Sequence, residues 1–258
     1  MTSDTPPPIQ LESVRYLANG APVLDGLDLT VHRGEIFAIL GRSGAGKTTL
    51  LRLIIGLVRP TSGRIWINGR DITALAEPQL EEVRLDMGLV FQGAALFDSL
   101  TVAENVAFAL VEHRRLPRQD IPQRVAELLA MVDMSGTEEL LPAQLSGGMR
   151  KRAGIARALA LAPSIMLYDE PTAGLDPISA AAINNLMRRL RDQVGVTSLI
   201  VSHDVASLRR VCDRAALLHR GRFLAVGTIA QLDSDADPAV RQFLSGSPEG
   251  PLTEGGSG

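Results

Sequence analysis

Residues Gly41-Arg42-Ser43-Gly44-Ala45-Gly46-Lys47-Thr48 fit the spacing G-x-x-x-x-G-K-[ST] without a mismatch. Such a run can hold phosphate. Its glycines let the backbone curl until successive N–H groups face inward, and a helix starting at the lysine adds the positive end of its dipole. Lys47 then sets a point charge on the β- and γ-phosphates, and Thr48 offers its hydroxyl to Mg²⁺. Thr49 is counted with the loop as a nucleotide contact. A second pair of groups, Asp169-Glu170, closes the apolar run Ile165–Tyr168. At the end of a buried strand, Asp169 is placed to hold Mg²⁺ through water. Glu170 is placed to polarise an attacking water as general base. An Asp-Glu pair after a strand is commonly a surface turn; the phosphate loop is what gives this pair a purpose.

Both motifs need a scaffold that delivers strand ends to one edge, and the hydrophobic pattern supplies one. Ile9–Tyr16 and Leu24–Val31 alternate as half-buried strands do, and Glu35–Leu40 is a short buried run before the loop. A helical pattern covers Lys47–Leu57, and Gly63–Asn68 reads as a strand closed by the Asn68-Gly69 turn. Met87–Phe91 is a further strand. Thr101–Met134 turns helical, broken by Pro117 and Pro122, and Leu145–Ala162 is helical again. Ile165–Tyr168 and Thr197–Ser202 are strands around a helix over Ile178–Gln193. Ala215–His219 and Phe223–Val226 form a hairpin about Arg220-Gly221. Strands and helices alternating in this way predict an α/β fold, a parallel sheet flanked by helices, with a helical subdomain inserted at about 95–160.

Composition excludes several classes. A net charge of −3 and a pI near 5.8 give no basic footprint for nucleic acid. The one cysteine, Cys212, forms no internal disulfide and suits a reducing compartment. There is no uncharged apolar run of membrane-spanning length, and the polar start Met-Thr-Ser-Asp-Thr-Pro-Pro-Pro lacks the basic and apolar regions of a signal peptide. Residues 1–8 are expected to be disordered, and the Gly/Ser/Pro-rich stretch from Ser245 to Gly258 to be flexible.

Between the two motifs stands Leu145-Ser146-Gly147-Gly148-Met149. With the phosphate loop and Asp169-Glu170, it resembles the signature of the ABC ATPase family, whose usual form ends in Gln. Gln92 looks like the family's Q-loop glutamine, Ala173-Gly174-Leu175-Asp176 like its D-loop, and His203 like its switch histidine. The resemblance covers about residues 9–232 and implies a P-loop NTPase core with an N-terminal antiparallel β part. It implies ATP and Mg²⁺ as cofactors, and two copies packed head to tail. Each ATP is then held between one phosphate loop and the partner's Ser146, Gly147 and Gly148, with Asp176 nearby. It also gives His203 a hydrogen bond to the γ-phosphate, and gives Gln92 a role in sensing Mg²⁺ and the membrane partner. The basic run Arg150-Lys151-Arg152 follows on the signature helix. One departure stands out. The family stacks adenine on an aromatic residue upstream of the loop, and spacing from Val23-Leu24 puts Ala18 there; Tyr16 is expected to pack inward.

Narrower segments point further: Phe91–Val102, Val111–Pro117, Met149 in the signature, Leu167–Ile178, and Asp237–Leu244. Together they resemble the MlaF-type phospholipid transport ATPases and, more distantly, Mce-type lipid importers. That resemblance implies an MlaE-like permease, a small STAS-domain protein of MlaB type and a periplasmic MlaD-like ring. It places the ATPase at the cytoplasmic face of the inner membrane, driving lipid transport that maintains outer-membrane asymmetry. Ala94–Leu100 is then either the permease groove or simply subdomain core, and residues 233–258 are a C-terminal extension. The alternatives are an importer ATPase for a small solute, a non-transport ABC ATPase acting on ribosomes or DNA, and a cassette that binds ATP without turnover. The acidic pI, single cassette and absent zinc or coiled-coil modules weigh against the second. Lys47, Gln92, Glu170 and His203 together weigh against the third.

Overall fold

The computed structural model describes residues 5–253. Its first elements are β1 (Ile9–Ala18), β2 (Ala21–Val31), β3 (Ile36–Leu40), α1 (Lys47–Ile54), β4 (Ser62–Ile67) and β5 (Arg70–Asp71). Then come α2 (Glu77–Arg84), β6 (Met87–Val90), α3 (Val102–Glu112), α4 (Ile121–Met131), α5 (Gly147–Ala158), β7 (Ile165–Asp169), α6 (Pro177–Val194) and β8 (Thr197–Ser202). The last described elements are α7 (Val205–Leu208), β9 (Arg214–His219), β10 (Arg222–Thr228), α8 (Ile229–Asp233) and α9 (Pro238–Ser245). Two compact units result. Among the described residues, the first draws on 5–75 and 199–253, the second on Ala76–Ser198.

In the first unit, β2-β1-β4-β5 form an antiparallel sheet. The Asn68-Gly69 turn that joins β4 to β5 has φ of 48° and 77°, the left-handed pair that tight hairpins need. A second sheet runs β10-β9-β3-β8, with β9 parallel to β3 and β10 antiparallel to β9. Every residue of β3 is buried. A strand covered on both faces is necessarily an apolar run, and each large side chain in it contributes about 1.5–3 kcal/mol of burial. That anchors the strand that feeds the phosphate loop.

The stretch after α9, as far as Thr253, is tied by hydrogen bonds. The Gln242 side chain accepts from Leu252 N–H at 2.7 Å and donates to the Ser247 carbonyl and the Thr253 hydroxyl, both at 3.3 Å. One buried amide therefore fastens the stretch after α9 through Thr253. At the other end, the Pro8 carbonyl accepts from Asn68 N–H at 2.9 Å. Residues 1–4 and 254–258, where the rest of the two expectations falls, lie outside the described residues.

In the second unit, β6 and β7 pair in parallel, Met87 opposite Ile165. Asp86 ties their starts by accepting from the Ser164 N–H and hydroxyl at 2.9 and 2.6 Å. The helical stretch divides as the prolines dictate. Thr101 caps α3 in a reciprocal box with Glu104, and Pro122 falls in the first turn of α4. The helix expected from Leu145 starts at Gly147 instead, because Ser146 is its cap and cannot also be inside it. No helix among the described residues is long and apolar enough to cross a membrane.

Candidate active site

The first unit presents the phosphate loop between β3 and α1. Gly46 has φ of 104°, and a Cβ there would stand 2.7 Å from Leu24 Cδ2, so only glycine permits the loop to close on β2. Lys47 is 7% exposed, and its ammonium donates to the carbonyls of Gly41 at 2.8 Å and Arg42 at 3.2 Å. The cation thus sits inside the curl of the loop, at the start of α1, where Thr48 and Thr49 also lie. Arg42 Nη1 donates outward to the Leu252 carbonyl at 2.7 Å. His203 follows β8 and is exposed. It shares with Arg42 and Ser43 a cavity of about 510 Å³ whose outer wall is the C-terminal stretch, including Phe243 and Leu252. Two motifs 160 residues apart are brought to one cavity, the distance in sequence being that from Ser43 to His203.

The second unit carries Gln92, the signature, Asp169, Glu170 and Asp176. Asp169 ends β7 and Glu170 follows it in the left-handed region, φ 48°. A non-glycine residue there stores strain of about 1–3 kcal/mol, which persists only where the surroundings impose it. Gln92 is exposed, two residues past the end of β6, and Ala94 and Ala95 after it are also left-handed at 62° and 49°. The two carbonyls of Gln92 and Glu170 are brought together by one ammonium: Lys151 Nζ donates to both, at 2.5 and 3.1 Å.

Ser146 and Asp176 both head helices. The Ser146 hydroxyl accepts from Met149 N–H at 3.2 Å, leaving the N–H groups of Gly147 and Gly148 in the first turn of α5. The Asp176 carboxylate accepts from Ile178 and Ser179 N–H at 2.9 and 3.0 Å and from the Ser179 hydroxyl at 2.6 Å. Those bonds, Ser179's first, hold its carboxyl below the usual value of 3.8. It is engaged on its own helix.

The donors fit the groups expected of them. A curled loop with a buried ammonium at a helix start suits a polyphosphate. Thr48 in the first unit and Asp169 in the second each offer oxygen, the donor Mg²⁺ prefers. Among the described residues no cluster of three or more His, Cys, Asp or Glu could cage a metal unaided.

The basic run Arg150-Lys151-Arg152 does not act as one patch. Arg150 donates to the Leu145 carbonyl at 2.6 Å and Arg152 to the Val132 carbonyl at 2.8 Å, while Lys151 is buried between Gln92 and Glu170. The bridging role of Lys151 is what sequence reading missed. The available signal was Lys151, Gly154 and Arg157 at helical spacing on one stripe, hidden among neighbouring charges.

The ABC transporter family matches residues 24–173. The intermembrane phospholipid transport ATP-binding protein MlaF of Haemophilus influenzae is 42% identical over 95% of this chain and 92% of its own. The methionine import ATP-binding protein MetN 2 of Rhodococcus jostii is 46% identical over 93% of this chain and 72% of its own. Among solved structures, the ATP-binding cassette MJ0796, a dimer in a post-hydrolysis state bound to ADP and Pi, superimposes with a TM-score of 0.78. It is 32% identical and covers 86% of this chain and 98% of that one.

Proposed function

The chain belongs to the ABC transporter family as an ATP-binding, ATP-hydrolysing subunit, and on that footing we propose that it powers a phospholipid transporter of Mla type. What carries the lipid reading is likeness to MlaF across nearly the whole chain, together with Met149 in the signature. Residues 9–232 form the ATPase domain, about 95–160 its helical subdomain, and 233–258 a C-terminal extension.

The first unit binds the β- and γ-phosphates through the loop N–H groups and Lys47. Thr48, Asp169 and Gln92 are the residues that would hold Mg²⁺, which would supply positive charge to the phosphates when bound. Glu170 accepts a proton from the attacking water at its carboxylate, and His203 holds the γ-phosphate by a hydrogen bond. Ser146, Gly147 and Gly148 of a second copy close over the same nucleotide in a head-to-tail dimer, and Asp176 lies at that junction. Hydrolysis removes the γ-phosphate on which closure depends and reopens the pair.

The permease docks on the apolar face after Gln92. Phe91, Phe97 and Phe108 stand 43%, 44% and 44% exposed around a cavity of about 350 Å³. Fully buried Asn105 sets that wall by accepting from Phe97 N–H at 2.8 Å and donating to the Leu100 and Thr101 carbonyls. The partners are an MlaE-like permease, a small MlaB-like STAS protein and, through the permease, an MlaD-like ring. They gather at the cytoplasmic face of the inner membrane, with phospholipid as cargo and no nucleic acid.

The test is purification from detergent-solubilised membranes with mass spectrometry of proteins and lipids. A permease, a small STAS protein and bound glycerophospholipid are expected. A second reading, import of methionine or another small solute, is favoured by the likeness to MetN 2. A permease recovered with a soluble solute-binding protein and no lipid decides for it.

A further inference from the structure

Helix α5 carries Lys151, Gly154 and Arg157 three residues apart, a single stripe of the helix. All three meet chain segments on which turnover depends. Lys151 is 5% exposed, and its ammonium spans the Gln92 and Glu170 carbonyls. The Glu170 carbonyl also accepts from Ala173 N–H at 3.2 Å. Two donors thus grip the peptide whose residue stands at φ 48°. One turn along, a Cβ on Gly154 would come within 3.2 Å of Ala94 Cβ, so α5 and the Gln92 loop approach as closely as glycine allows. Arg157 completes the row, donating to the Ala94 and Ala95 carbonyls at 3.0 and 2.5 Å, the two left-handed residues of that loop.

A buried ammonium is an expensive way to fill space, since desolvation opposes the charge and an apolar chain of equal length would pack as well. Burial does push the Lys151 pKa below its usual 10.5, while the Glu170 and Asp169 carboxylates pull it back. What the ammonium does and an apolar chain cannot is hold two carbonyls from separate segments at once.

Taking Glu170 as the general base and the face that follows Gln92 as the permease dock, as proposed above, we infer that Lys151 is a positioning residue for hydrolysis. Its ammonium ties the main chain of the Gln92 loop to the main chain of Glu170. A shift of that loop on the permease side is thereby carried to the carboxylate that activates water. Signature helix, loop and base move together through one side chain.

The test compares the full chain with K151M, K151R and E170Q by steady-state hydrolysis and melting temperature. K151M is expected to lower kcat at least about tenfold with KM for ATP within about twofold, the pattern of a lost transition-state interaction. K151R restores most of kcat. A structural role alone would lower the melting temperature without that split. If K151M does not fold, K151Q serves, since its shorter neutral amide cannot span both carbonyls; a kcat reduced at least about threefold is expected. Wild-type kcat in K151M or K151Q, with E170Q inactive, overturns this inference alone. Wild-type turnover in E170Q removes the general base and this inference with it.

Discussion

Ala18 offers a methyl group where the family places an aromatic ring. It ends β1, paired with Ala21 across the Asn19-Gly20 turn, and Tyr16 is half-buried opposite Leu24. Base stacking on an aromatic side chain contributes about 1–3 kcal/mol. Without it, affinity rests on the phosphates, which ATP and GTP share. Hydrolysis of the two should therefore proceed with kcat/KM within about threefold of each other, whereas a base-selective contact of about 1–3 kcal/mol would separate them by about fivefold or more. A preference for ATP of several tens-fold would place another adenine contact in the site. At this scale the sequence was a good guide to groups with a fixed motif: Lys47, Asp169 and Glu170 stand on the elements their spacing demanded. It was silent on Lys151, because the partners of Lys151 are main-chain carbonyls, and carbonyls carry no residue identity.

Helices α5 and α6 and the end of α4 meet at Asp133. Its carboxylate accepts from Arg189 at 2.7 Å and from Arg152 at 2.5 Å. The Arg189 hydrogen bond, with Arg152 beside it, holds the carboxyl below the usual 3.8. A carboxyl whose folded pKa is depressed adds stability that is fully present above the unfolded value and lost as pH falls through the folded one. Half-exposed pairs contribute only about 0.2–1 kcal/mol and are screened by salt. The melting-temperature gap between wild type and D133N should thus be constant above about pH 5 and close as pH drops below 3.8. A gap unchanged down to pH 3 would contradict an ionic role. The elements themselves were largely legible. β3 is an apolar run, β8 carries one at Leu199–Val201, and α6 falls between an Asp176 cap and Gly195. Helix α2 was not read, because Glu77–Arg84 buries only Leu80 and Val83 and shows no apolar stripe. The fastening of the C-terminal stretch by Gln242 was invisible because a polar side chain in a Gly/Ser/Pro-rich tail looks like solvent-facing loop.

At the scale of the whole molecule, the chain holds two helix starts built for anions, that of α1 after Gly46 and that of α5 after Ser146. In the head-to-tail pairing proposed above, each ATP takes one from each copy. The isolated chain should then hydrolyse ATP with a rate per subunit that rises with its concentration. The central claim, a site completed by a second copy and fired by Glu170, is tested most directly on E170Q. Its molar mass in solution is measured with and without Mg-ATP, beside its turnover. The account predicts ATP binding retained, a dimer that forms on ATP and persists, and turnover at least about a hundredfold below wild type. A chain that stays monomeric with ATP, or an E170Q variant that hydrolyses ATP near the wild-type rate, would contradict it.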